Sequence, residues 1–286
     1  MHKGEWRQGR GNAGKIRDHM HEELERRSRG ASRTSSSELE ACLPASPGSR
    51  KRRPGPIRVV EICTWTCMMS IVAASFGWEA WEPITLPGYD LLTRKGREAA
   101  RKALMRIDPD FIAMAPPCSE WSQLQNVTQR TPMQVRRLRR RRKLQLSLSA
   151  FFDEIAQWQH ERGIHGDRTA WMLENLLRSL LWRQAPLQAT LATSGVDTVV
   201  TDACVWQKRR PDTGELIKKP TQVIGTPEAV SMITIRCAGG HDHSVVEGAM
   251  HCPDETGRWK RMAVSDWAGG GYTAEFCEAL LRGVES

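Results

Sequence analysis

The chain lacks the features that would place it outside a cell or in a membrane. Across 286 residues there is no secretory leader, no apolar run long enough to cross a bilayer, and no regular spacing among its 8 cysteines that would mark a disulfide framework. These absences predict a reducing compartment, nuclear or cytosolic. Residues 1 to 56 also lack aliphatic periodicity. They are rich in Arg, Ser, Gly and Glu and leave through Pro47-Gly-Ser-Arg-Lys-Arg-Arg-Pro-Gly-Pro56, so they read as a disordered basic tail that cannot build a core. Thirteen basic against seven acidic residues put about +6 of the formal +9 charge in that tail. Lys51 to Arg53 is a weak import signal.

What is present is a set of strands that stop on reactive groups. Asp108-Pro-Asp-Phe-Ile-Ala-Met-Ala-Pro-Pro-Cys118-Ser-Glu-Trp-Ser122 is an apolar strand ended by two prolines, which fix φ and remove backbone donors. The thiol of Cys118 is thereby expected at the carboxyl edge of a sheet, where open α/β sheets keep ligands. A second apolar segment, Thr169-Ala-Trp-Met-Leu-Glu174-Asn175, brings a carboxylate to an equivalent strand end. Leu176 after it favours helix over an extended exit. The bland reading of Cys118 is a buried structural thiol, and of Asn175 a helix cap. Ile57 to Gly77 reads as first strand, turn and first helix, Trp78 to Ile84 as a second strand, and Arg94 to Ile107 as the helix returning to the Cys118 strand. This alternation is the doubly wound pattern.

Pro-Pro-Cys118-x-x-x-Ser122 followed by Glu174-Asn175 resembles the catalytic pair of the cytosine-C5 methyltransferases. The resemblance implies that Cys118 attacks C6 of a flipped cytosine, that Glu174 contacts the ring edge near N3, and that Asn175 is structural. It implies S-adenosylmethionine as cofactor, held by Glu61, Trp65, Glu82, Asp90 and Pro116. Glu61 matches the acid before the cofactor turn, while the family's two glycine positions are occupied by Trp65 and Cys67. Further on, Thr201-Asp-Ala-Cys204, Lys219-Pro-Thr221, Cys237-Ala-Gly-Gly-His241-Asp-His243 and Tyr272 are similar to methyltransferase-like domains of retroelement polyproteins. Gln207-Lys-Arg209 half echoes the family's Gln-x-Arg strand.

Basic charge beyond the tail is concentrated in one run, Arg136 to Lys143, behind a good helix start at Thr131-Pro132. It could track a phosphate backbone, with Arg137, Arg140 and Arg141 as nucleic-acid contacts beside Ser119 and Ser122, or form a solvated helix face. Cys237, His241 and His243, with His251-Cys252 downstream, offer zinc donors, but their spacing matches no standard finger, and the histidines could instead face a phosphate. No metal is assigned. A terminal amphipathic helix from Tyr272 to Arg282 should pack on the first strands.

The expectation is one doubly wound, Rossmann-like class I methyltransferase domain over residues 57–286, with a short target-recognition-like region at about 205–262. Its expected function is cytosine-C5 methylation of DNA. The alternatives are an inactive methyltransferase-fold module that binds nucleic acid, an RNA cytosine methyltransferase and, on the Cys237 loop alone, a zinc-dependent module.

Overall fold

The computed structural model describes residues 55–64, 66–123, 125, 130–165, 169–253 and 259–286. Trp65 and, apart from Gly55 and Pro56, the expected tail with its Lys51–Arg53 cluster lie outside those residues. The elements run β1 (Arg58–Ile62), α1 (Met68–Ser75), β2 (Glu79–Ala80), α2 (Arg94–Ile107), β3 (Phe111–Met114), α3 (Pro132–Ile164), β4 (Ala170–Leu176), α4 (Ala185–Leu191) and β5 (Asp197–Asp202). Then come β6 (Leu216–Ile217), β7 (Pro220–Gly225), α5 (Pro227–Val230), β8 (His243–Ser244), β9 (Ala249–Pro253), β10 (Trp259–Ala263), α6 (Val264–Gly269) and α7 (Ala274–Glu285).

One sheet holds the order β2-β1-β3-β4-β7-β5. Strands β1 to β4 are mutually parallel, and β7 runs antiparallel to both β4 and β5. The result is the doubly wound, Rossmann-like α/β sheet expected from the sequence, with one antiparallel strand inserted before its last strand. Strand order reverses across β1, so the ligand crevice of such a sheet opens between the carboxyl ends of β1 and β3.

The strands are near-continuous apolar runs because both faces are covered. Residue alternation divides them. Val60, Ile62, Ile112, Met114, Trp171 and Leu173 face α2 and α3, whereas Val59, Phe111, Ala113, Ala170 and Met172 face α1, α5 and α7. By the same alternation Glu61 and Glu174 fall on the α7 side, which matters for the site below. The expected packing of the terminal helix on the first elements is present: Phe276, Leu280 and Leu281 join the core of Val59 and Met69.

Helix α3 is the long strut of the molecule. Thr131 and Gln134 cap each other in a reciprocal capping box with Pro132 at the first position, as the sequence predicts. Its 33 residues extend about 50 Å at 1.5 Å per residue. Near its far end Gln159 donates to the carbonyls of Pro109 at 3.0 Å and Ala170 at 3.4 Å, and Arg162 pairs with Asp108 at 2.7 Å. Those bonds fasten the amino ends of β3 and β4.

One local expectation changes in the fold. Glu174-Asn175 does not end its strand: Glu174, Asn175 and Leu176 pair with Val223, Gln222 and Thr221. Strand pairing outweighs the helical preference of Leu176, because β7 supplies a partner that sequence order does not reveal. Helix α5 starts behind Thr226 with Pro227 at its beginning and Glu228 in its first turn, and the Thr226 hydroxyl accepts from Trp171 N at 3.4 Å. No described helix is long and apolar enough to cross a membrane.

The β4–β7 seam leaves no room at Gly225, where a Cβ would stand 2.2 Å from Trp171 O. Gly225→Ala should therefore cost about 1–3 kcal/mol in urea unfolding. Gly88→Ala, whose methyl would meet only Thr85 O at 3.7 Å, should leave the midpoint unchanged.

Candidate active site

The prolines end β3 as expected, and Cys118 opens a short 3-10 turn over Ser119–Trp121. Two anchors fix that turn. The buried amide of Asn175 donates to Pro116 O at 2.8 Å, tying the loop to β4 and giving Asn175 the structural part expected of it. Glu120, only 2 % exposed, accepts from Gln145 Nε2 at 2.8 Å, from the hydroxyl of Ser119, and from Arg141 Nη1 at 3.0 Å. Arg142 adds a bond to Glu120 O at 2.9 Å and lies over the Trp121 ring. The upstream turns of α3 thus grip the cysteine loop.

Glu174 lies inside β4 on the α7 side of the sheet, and Lys219, just before β7, reaches it with Nζ 3.3 Å from Oε1. Burial pushes the Cys118 thiol up from its ordinary pKa; the Lys219 ammonium opposes that rise and the Glu174 carboxylate adds to it. Cysteine, glutamate and lysine therefore share one electrostatic neighbourhood, brought together from positions 56 and 45 residues apart in sequence.

Behind Glu174 is a cavity of about 40 Å³ lined by Thr201, Trp206, Lys208, Lys219 and Tyr272. That is room for about one water. Lys208 Nζ donates to Gly270 O at 2.7 Å and Gly271 O at 3.3 Å and stands 5.0 Å over the Trp267 ring. Burial, helped by the Lys219 charge, pushes Lys208 down to about 8. The Tyr272 hydroxyl is buried without a hydrogen-bond partner among the described residues, and burial, with Glu174 and Glu61 nearby, holds it well above the ordinary phenol range. A larger cavity of about 330 Å³ between α2 and α3, lined by Arg101, Leu104 and Trp158 among others, contains none of these groups.

The β1–α1 turn places Glu61 fully buried, with Oε1 accepting the Ser70 amide at 2.6 Å. Burial raises this carboxyl, while the bond from the Ser70 amide pulls it back. Glu61 thereby caps a helix whose own N-cap residue, Cys67, supplies no side-chain cap. Cys63 and Cys67 both hold left-handed backbone, at φ 59° and 53°, a region that suits glycine and costs other residues about 1 kcal/mol or more. Glu82 is exposed directly beyond β2. Asp90 is exposed too, but Oδ1 accepts from Leu92 N at 3.1 Å in the turn leading to α2.

Of the residues expected to meet nucleic acid, Ser119, Arg137 and Arg140 are exposed, and Ser122 is half-buried. Arg141 is partly occupied by Glu120. Sequence reading left Lys219 and Tyr272 as unassigned members of motifs and Lys208 as part of a weak echo. Their signal was a buried charge or phenol that only the tertiary fold explains.

No known protein family matches the chain, and neither does any curated protein. Among solved structures it is similar to the Dnmt2 methyltransferase of S. pombe, at 9% identity and a TM-score of 0.32, over 61% of this chain and 49% of that one. The chain thus spans about half the length of that enzyme.

Folded protein releases the Lys208 proton at about pH 8, whereas an unfolded chain keeps it to about 10.5. Unfolding takes up a proton in that window, so the Lys208 contribution to stability should rise with pH from 8 to 10.5. Chemical denaturation across that range should show the rise, and Lys208→Met should flatten it.

Proposed function

We propose that this chain is an S-adenosylmethionine-dependent cytosine-C5 methyltransferase acting on DNA, carried as part of a retroelement polyprotein. The observation that supports the reading most is the convergence of Cys118, Glu174 and Lys219 at the carboxyl edge of the sheet, with Asn175 locking the cysteine turn. Cytosine C5 is a poor nucleophile until C6 is attacked, so a thiol and an acid on one ring are what the reaction requires.

In this mechanism the Cys118 thiolate bonds to C6 of a flipped base, and the C5–C6 electron pair moves into the ring toward C5 and N3. Glu174 contacts the ring edge and holds the proton that neutralises N3. Lys219 keeps a positive field over both groups and offsets the burial that keeps Cys118 protonated. Loss of the C5 proton to water then returns electrons to the ring and expels Cys118.

The donor set fits the cofactor best at its ribose end, where Glu82 stands exposed at the tip of β2, 21 residues after Glu61. A carboxylate at that place hydrogen-bonds ribose hydroxyls in dinucleotide folds. Glu61 and Pro116 frame the crevice between β1 and β3, with Asp90 beyond. When bound there the cofactor supplies the methyl group. Side chains at the left-handed positions Cys63 and Cys67 favour a second reading, an inactive module that binds nucleic acid. Calorimetry with S-adenosylhomocysteine separates the two: binding supports the enzyme, and binding only after Cys67→Gly supports decay.

With S-adenosylmethionine present, DNA containing 5-fluorocytosine should form an adduct that survives denaturation, because fluorine on the methylated C5 cannot leave as a proton does, and Cys118→Ala should abolish it. Because the thiol pKa is raised, adduct rate should climb about tenfold per pH unit through the neutral and mildly alkaline range. Lys219→Met should push the thiol higher and slow the adduct at every pH. No adduct with any duplex or single strand, at any pH, overturns the proposal.

The exposed guanidiniums Arg136, Arg137, Arg139 and Arg140 support DNA as partner. Reversing all four to Glu should weaken DNA binding and reduce the slope of log affinity against log salt by up to about 3. An unchanged slope would remove this face from the interface.

A further inference from the structure

The Cys237 loop does more than the sequence pattern predicts, because folding adds a fourth donor. Cys204, in the short 3-10 turn directly after β5, joins Cys237, His241 and His243, and one ligand atom from each lies within 4.8 Å of all the others. Among the described residues this is the one such group of His, Cys, Asp and Glu side chains, and it excludes His251.

The spacing is that of a coordination sphere. Cys237 Sγ stands 3.6 Å from His241 Nε2 and 3.4 Å from His243 Nε2. A tetrahedral ion with metal–sulfur bonds of about 2.3 Å and metal–nitrogen bonds of about 2.05 Å would set sulfur and nitrogen about 3.6 Å apart. Suitable tautomers of the neutral groups can meet these contacts as hydrogen bonds; what marks the site is number and kind, because two thiols and two imidazoles converging on one point are a complete tetrahedral donor set for zinc.

The surroundings are built to hold that arrangement. Gly239 and Gly240 take left-handed φ of 86° and 83°, which curls the loop so that Cys237 and His241 point the same way. Gly239 N donates to Cys237 Sγ at 3.4 Å, a bond that favours the thiolate. The fully buried Asp202, at the end of β5, accepts from Cys237 N at 3.0 Å and from Arg236 Nε at 2.8 Å, fixing the loop base beside Cys204. His243 is held by the pairing of β8 with β6.

We propose that Cys204, Cys237, His241 and His243 bind a structural zinc ion. Two thiolates with two imidazoles in a closed tetrahedral set select zinc over hard cations, and four protein ligands leave no open position for catalysis. Cys204 lies between Ala203 and Trp206, which both line the Glu174 cavity. The ion therefore clasps the wall of that cavity and organises the recognition-like region, in which a hydrophobic core is small. This inference stands whether or not the chain methylates anything.

The test is metal analysis of the full chain purified from zinc-supplemented medium without chelator. About one zinc per chain is expected. Exchange for cobalt should give the intense visible bands of a tetrahedral site and a sulfur-to-cobalt charge-transfer band in the near ultraviolet. His241→Ala, at an exposed position that does not endanger folding, should lower zinc affinity by more than about tenfold, and Cys63→Ser, outside the group, should leave it unchanged. Well under one zinc per chain with no charge-transfer band on adding cobalt overturns the proposal. So does full zinc content with unchanged affinity in His241→Ala, which would place the ion elsewhere.

Discussion

Everything functional in this fold depends on a buried carboxylate that does no chemistry. Glu120 follows the cysteine by two residues, is almost completely removed from water, and would be expensive to bury alone. Its cost is offset by Arg141, Gln145 and Ser119, and those partners convert a proline-ended loop into a rigid turn. A thiol in a flexible loop would sample many positions, and the entropy of ordering it would fall on the reaction. Here the ordering is complete before any substrate arrives, because α3 was already fastened at its other end to β3 and β4.

The second constraint is charge. Lys219, Lys208 and Glu174 are packed around a cavity of about one water's volume, with one carboxylate for two ammonium groups. Burial resolves the imbalance by weakening the hold of Lys208 on its proton, while Lys219 keeps its carboxylate partner. A neutral Lys208 still donates to the carbonyls of Gly270 and Gly271, so its structural bonds are compatible with either protonation state. Below about pH 8 Lys208 stays largely protonated, and Lys219 stands beside the thiol and the acid, which is the field a thiolate nucleophile needs.

The sequence made legible those parts of this architecture whose cause is local. Two prolines end β3, Thr131-Pro132 starts α3, and apolar spacing marks the terminal helix; each is a property of a few consecutive residues. Ordered motifs also brought Cys118 and Glu174 forward as a pair. What stayed hidden was set by pairing at a distance. Leu176 remains extended only because β7 returns beside β4, and Lys219 reaches Glu174 only through that same return. Cys204 could not be joined to Cys237 from spacing, since 33 residues and two strands separate them. Trp65, the most unusual residue of the β1–α1 turn by its sequence position, lies outside the described residues.

The short link between α6 and α7 connects the two halves of the proposed chemistry. Gly271 has a left-handed φ of 69°, and a Cβ there would stand 2.3 Å from Thr66 Cγ2, so the link lies directly against the β1–α1 turn. The same link gives its carbonyls to Lys208 and leads into Tyr272, whose phenol lines the Glu174 cavity. On the proposed reading a base meets Glu174 at this cavity, whose wall includes Tyr272 and Lys208. Close-packed contacts shift together rather than stretch, so that wall and the turn beside Glu61 are mechanically linked through three consecutive residues, Gly270 to Tyr272.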